Sequence, residues 1–290
     1  MNGRRVIERF LFFAAAFLLA ACGGPREDWP PPSPALWEVT GPDGAKGWLF
    51  GTVHALPSSV AWQTQAVEQA LRSADRLVVE IANLGRRDAA RAAFDEVART
   101  PGLPPLSARV PASDRAALHA FMERAGRDDD DFTDLETWAA ALRLANAARR
   151  SDGGEGVDTV LLEGKDPVVG LESYAAQYRV FDTLTPSEQA TLLLGLARDA
   201  ELDANEGRLR AWVTGDLDEL ARQSSVGILT DPGLREKLLS ARNRNWASRI
   251  DAMLKSGARP FVAVGAAHML WDDGLPALLT QRGYTVTRVE

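Results

Sequence analysis

The feature that most narrows what this chain can become is a set of short apolar runs near its two ends, with helix-patterned sequence between them. Leu36–Thr40, 47–50, 77–80, Val168–Glu172 and 261–265 are four or five residues each, bounded by glycine or by charge. Runs so short and so uniformly apolar suit strands covered on both faces. Residues 284–289 alternate and supply a sixth strand. The sequence GPDGAK between the first two runs reads as a hairpin turn. Strands near both ends with helices between predict an α/β fold, a central mixed sheet with flanking helices.

The helical patterns fall at 61–74, about 134–150, about 186–200, 231–256 and 272–282. Two capping boxes are expected, Thr133 with Glu136 and Thr185 with Glu188, the second followed by a proline at the first helical position. From about 88 to 150 the sequence is alanine-rich and lacks a strand run, so a helical insertion or cap is expected there. His119 lies mid-helix in it and reads as a surface or core-edge residue. The acidic run Asp128 to Asp131 reads as a solvated loop, without the glycine and glutamate spacing of a calcium site.

The first residues follow a different logic. Arg4, Arg5 and Arg9 precede an apolar stretch over 10–21, shorter than the ~20 residues that cross a bilayer. Charged start, short apolar middle and small residues at the end predict a secretory signal over 1–21. Leu19-Ala20-Ala21-Cys22 resembles a bacterial lipoprotein signal with Cys22 as the lipidated residue; the alternative is a plain signal with an incidental cysteine. Gly23 after the cysteine resembles Gram-negative lipoproteins sorted to the outer membrane. That implies a lipid-anchored protein of the cell envelope, facing the periplasm. Residues 22–35 are proline-rich and read as a tether, with docking of Trp29 on the domain as the alternative. The folded domain is expected over 36–290. Cys22 is the sole cysteine, so a mature fold starting there has no internal disulfide. The net charge is −7 and no basic run stands out, so nucleic acid is not an expected partner.

The expected strands end on chemistry. The run 47–50 leads through Gly51 to His54, the run 77–80 ends on Glu80, Val168–Glu172 ends on Glu172, and the run 261–265 leads through Gly265 to His268. If these strands are parallel, their carboxyl ends share one edge, where ligand sites of open α/β sheets lie. Two of the chain's three histidines thus follow the same strand-Gly-x-x-His device. Glycine there permits positive φ or a close backbone approach. Two neutral imidazoles with one or two carboxylates suit zinc, manganese, iron or cobalt. The same groups also suit proton transfer without a metal. No G-x-S-x-G, H-E-x-x-H, Walker or paired C-x-x-C motif occurs.

The paired G-x-x-H motifs, LVVEIANL, GVDTVLL, VVGLESYAAQYRVF and RNRNWASRI, in this order, resemble the TraB/PrgY/GumN family, which includes the animal Tiki proteins. The resemblance covers about 36–290. It implies a metal site of His54, Glu80 and His268, with Glu172 a further acidic candidate, and it aligns Arg242 and Asn243 with the family's polar pair. Tiki proteins are described as metal-dependent proteases, so the resemblance implies metal-dependent hydrolysis, with a peptide or small molecule as substrate. On that expectation Glu172 or Glu80 serves as base, and Arg242 and Asn243 stabilise developing negative charge. Two rivals stand beside it: a metal-free hydrolase or transferase working by His/Glu acid–base chemistry, and a non-catalytic envelope protein binding haem, metal or peptide. One departure from many relatives is His-Met-Leu-Trp-Asp-Asp-Gly after the second motif, where Trp271 is placed to narrow an entrance.

Overall fold

The computed structural model describes residues 29–148, 154–201 and 204–290. The expected signal over 1–21, Cys22 and the first part of the expected tether lie outside the described residues. Six strands form one sheet: β1 (Leu36–Thr40), β2 (Lys46–Thr52), β3 (Arg76–Ile81), β4 (Val168–Glu172), β5 (Pro260–Gly265) and β6 (Thr285–Arg288). Their spatial order is β4-β3-β5-β2-β1-β6. The four strands β4, β3, β5 and β2 are mutually parallel, while β1 runs antiparallel to both β2 and β6. This is the expected mixed sheet. Its parallel block comprises the four strands whose ends carry the candidate groups.

The central strands are apolar on both sides because both faces are covered. Trp48, Phe50, Leu77, Val79, Phe261 and Ala263 face one layer of helices, Gln65–Ser73, Val157–Gly164 and Ala204–Val213. Leu49, Val78, Val262 and Val264 face the other, Ala241–Lys255 and Leu275–Gln281. Burial therefore alternates side to side along each strand, as the period of two requires. Under β2 the Phe50 ring packs against Trp62 and Trp212 at 5.8 and 6.1 Å between centroids. The Trp212 indole also donates to the carbonyl of Gly51 at 2.7 Å, tying the start of the first G-x-x-H loop to the core.

A third core lies away from the sheet. Leu118, Phe121, Trp138 and Leu144 pack with Leu193 and Leu234, so the helices of 87–148 share their interior with residues as far on as Leu238. His119 is exposed there, on the Arg115–Arg124 helix. The acidic run forms a 3-10 turn, Asp129–Phe132, in which Asp129 accepts from the backbone and hydroxyl of Ser107. Trp29 packs on the domain under Arg210, and the Ser33 amide donates to Val213 at 2.7 Å, so residues 29–35 lie against the fold.

The capping boxes divide. Thr185 and Glu188 form theirs, each side chain accepting from the other's amide, at 3.3 and 2.7 Å. Thr133 and Glu136 do not, and the helix begins at Thr137. The reason is tertiary: the backbone of 134–136 pairs with 98–100, including a Glu136 amide to Ala98 carbonyl bond of 2.8 Å, and the Glu136 carboxylate accepts from Thr100. That pairing holds the segment extended and delays the helix by a turn.

Candidate functional site

Strand register brings the candidate groups to one level. Val79 lies opposite Ala263, which lies opposite Phe50, so Glu80, Val264 and Gly51 fall in the next row of the sheet. Beyond it, β5 passes into the 3-10 turn Ala266–Met269 that carries His268. The two motif glycines are needed for close approach, since neither has positive φ. A side chain on Gly51 would come within 3.0 Å of the Ala266 backbone, where the two motif loops pack together. A side chain on Gly265 would meet the Glu80 carboxylate at 3.3 Å. In its absence the Gly265 amide donates to Glu80 Oε1 at 2.9 Å.

Arg242 is the hub. Its guanidinium donates to Glu80 Oε2 at 2.9 Å and, through Nε and Nη2, to both oxygens of Glu172 at 3.0 Å. The bidentate half fixes the plane of the guanidinium. Trp246 closes the arrangement: its indole donates to Glu172 Oε1 at 3.0 Å, Arg242 lies 4.6 Å over its ring, and the His268 ring lies 4.4 Å away. Glu172 is thus committed on both oxygens.

His268 is held in one tautomer. The Asn243 amide nitrogen donates to the Asp273 carbonyl at 2.7 Å, which turns Asn243 Oδ1 toward His268 Nδ1 at 2.5 Å. Nδ1 therefore carries the hydrogen and Nε2 keeps a lone pair, with Arg242 Nη1 3.4 Å from it. Burial, reinforced by the charges of Arg242 and His54 and opposed by Glu80, pushes the His268 pKa down to about 3. For Glu80, burial favours the neutral acid. The charges of His268 when protonated and of Arg242, and then the Gly265 amide, outweigh it and bring the pKa down to about 2. At neutral pH the pair is a neutral imidazole beside a carboxylate, His268 Nε2 lying 3.9 Å from Glu80 Oε1.

His54 is built differently. Its ring is largely exposed, 65% by side chain, and its Nδ1 lies 3.1 Å from Asp158 Oδ2. Asp158 is buried, and its other oxygen accepts from Thr52 at 2.6 Å. Nδ1–H on a carboxylate leaves Nε2 as the outward electron-pair donor. A charge on His54 is felt at both Glu80 and His268, so the three share one electrostatic site. Among the described residues, no three His, Cys, Asp or Glu side chains stand close enough together to form a ready ligand set.

Asp158 was not among the sequence candidates, although GVDTVLL contains it. The available signal was glycine: side chains on Gly154 and Gly156 would strike the carbonyls of Leu56 and His54 at 2.2 and 2.8 Å. With the Val157 amide bonded to the Val53 carbonyl at 3.0 Å, these contacts press the Asp158 segment onto the His54 loop. We expect Asp158→Asn to lower affinity for a ligand held by His54, or a rate dependent on it, about 10- to 100-fold with little loss of stability. Titration of His54 by NMR in both proteins checks the cause, and an unchanged His54 spectrum would disprove the coupling.

Beyond His268 the chain turns at Trp271, whose φ of 65° is rare for a bulky residue. Arg235 stacks 4.3 Å from its ring and donates to Asp273 Oδ1 at 2.7 Å, while Ser240 donates to the other oxygen at 2.5 Å. Asp273 thus clasps the His268 loop to the π-helical turn Glu236–Ser240, directly ahead of Arg242 and Asn243.

Fold and site together define an α/β protein with a polar histidine–carboxylate–arginine centre at the carboxyl edge of a parallel block. The sequence profile of the TraB/PrgY/gumN family matches residues 35–288, and the chain belongs to that family. No curated protein and no solved structure matches it.

Proposed function

We propose that this protein is a Tiki-like hydrolase acting on peptide bonds with a divalent metal, manganese, cobalt, zinc or iron, as cofactor. The observation that carries this reading is the shared presentation of the two motif imidazoles. Each anchors Nδ1–H on an oxygen, Asn243 for His268 and Asp158 for His54, and keeps Nε2 as the donor. That is how ligating histidines are held. Glu80, ionised across the physiological range, is the carboxylate that would join the two imidazoles, with its bonds to Gly265 and Arg242 and the side chains rearranging to bring the three together; imidazole with carboxylate suits a divalent ion. Such an ion, when bound, would polarise the scissile carbonyl and ease deprotonation of water. The chain's own contribution is Arg242, next to His268 Nε2, which stabilises negative charge developing on the substrate. Glu172 and Trp246 hold Arg242 in plane, so we assign Glu172 to positioning rather than to proton abstraction. Asn243, buried and bonded to His268 and Asp273, likewise positions.

A second reading rests on the exposed His54 backed by buried Asp158 and Thr52. That arrangement also makes a general base without metal, with Arg242 again facing the oxyanion. Metal analysis of the purified protein, with hydrolysis of a peptide library before and after chelation and after metal return, separates the two. On the first reading His54→Ala and His268→Ala each remove metal and activity together. Activity that persists in verified metal-free protein selects the second. Metal or haem bound without turnover of any peptide goes against both and favours a binding protein.

We also propose anchoring at the cell envelope through Cys22, supported by the Leu-Ala-Ala-Cys boundary. Cys22→Ser should abolish lipid labelling and membrane fractionation of the mature species. If lipid-labelled mature protein persists, the anchor is wrongly assigned.

A further inference from the structure

Behind the Arg242–Glu172 pair lies an open groove of about 630 Å³, within the range of ligand sites, and Arg242 and Glu172 form part of its wall. Its lining is of two kinds. Ala176, Val180 and Ala241 contribute small apolar groups. Lys237, Asn245 and Arg249 contribute hydrogen-bond donors, Asn245 and Arg249 following Ala241 along one face of the Ala241–Lys255 helix. The one carboxylate lining the groove, Glu172, already accepts from Arg242 and Trp246 on its Oε1 and from Arg242 on its Oε2.

The cations differ in what they have left to give. Lys237 is paired with Glu188 at 2.7 Å, and Arg242 lies between Glu80 and Glu172. Arg249 is exposed; it donates to the backbone carbonyls of Leu171 and Gly170, and among the described residues no carboxylate pairs with it. Two of its five N–H groups suffice for those bonds, which leaves donor capacity on a residue that lines the groove. The same residue is thus bonded to the backbone of β4, an edge strand of the sheet, and brings to the groove a guanidinium with no carboxylate partner among the described residues, alongside Arg242.

We propose that this groove is the recognition subsite for a peptide carboxylate, with Arg249 as the anchor and the small apolar lining residues Ala176, Val180 and Ala241 accepting the adjoining residues. The inference rests on the peptide-hydrolase reading and names the substrate class for it: short, small-residue peptides bearing a carboxylate that reaches Arg249. Charge-assisted bonds to a guanidinium are the strong ones, and a bidentate match adds direction.

The test is calorimetric titration of the purified full chain at low salt with four peptides. These are Ala-Ala-Ala-Gln with a free carboxyl terminus, its amide, and acetylated, amidated Ala-Ala-Glu-Ala and Ala-Ala-Gln-Ala. A carboxylate-bearing member should bind about tenfold more tightly than its neutral partner. The first pair tests a terminal carboxylate and the second a side-chain one. Arg249→Gln should reduce that preference to less than twofold. Ala241→Glu, which adds a negative charge to the groove without touching Arg249, should weaken the same peptides selectively, and added salt should shrink the preference. Equal binding of charged and neutral peptides by the wild type overturns the proposal. So does a preference that survives Arg249→Gln, whatever Ala241→Glu does. Hydrolysis without carboxylate preference removes this subsite and leaves the hydrolase standing; carboxylate preference without hydrolysis does the reverse.

Discussion

Arg242→Ala is expected to destabilise the protein by about 3–5 kcal/mol, because it leaves Glu80 and Glu172 buried without their common counter-charge. Their side chains are 17% and 8% exposed, so water cannot replace the guanidinium at both. The loss should be partly recovered by adding Glu80→Gln and Glu172→Gln, since neutral amides need no counter-ion. Denaturant unfolding of the single and combined variants makes the comparison. A single-variant loss below about 1 kcal/mol would mean that Arg242 does not neutralise the pair. At temperatures where Arg242→Ala remains folded, hydrolysis should fall about 10²- to 10³-fold. Its metal content should stay unchanged, because its proposed role is toward substrate and not the ion.

Acid should weaken the fold earlier than carboxylates alone would allow. His268 has an ordinary pKa of 6.5 and one of about 3 in the fold. Between these values the unfolded chain binds the proton and the folded chain does not, so unfolding is favoured as pH falls. The contribution is fully present above pH 6.5 and is lost progressively toward pH 3. Glu80, lowered from 4.5 to about 2, adds a second loss that begins only near pH 4.5. From pH 6.5 to 4.5 His268 therefore acts without Glu80, and stability should drop about 2–3 kcal/mol, at ~1.4 kcal/mol per pH unit. Unfolding free energies across this window for the wild type and His268→Gln provide the check. The variant should lose that slope; a wild type with no slope there would show that His268 is not held neutral.

Much of the architecture is legible in the local pattern of the chain. Apolar runs that end in glycine or a carboxylate are local signals, and a strand buried on both faces must carry one. Six strands, and the placement of Glu80 and Glu172 at the last positions of strands and of His54 and His268 just beyond them, followed from that, although β3 runs one residue past Glu80 to Ile81. The Thr185 box was equally local and formed as expected. The Thr133 box had the same letters and failed, because pairing of 134–136 with 98–100 outweighed a cap. The motif glycines were read as turn or close-approach residues, and the packing selects close approach.

The sequence by itself thus determined which groups end the strands, because burial period and strand length are properties of neighbouring residues. Only the tertiary structure decided how those groups are partnered. Asp158 meets His54 across 104 positions, and Arg242 meets Glu80 across 162 and Glu172 across 70. Such partners depend on the angle at which the 241–255 helix crosses the sheet and on glycine loops that let two backbones touch. No periodicity encodes either, so the bonds between Glu172 and Arg242, on which the proposed positioning role of Glu172 rests, became visible only when the chain was folded.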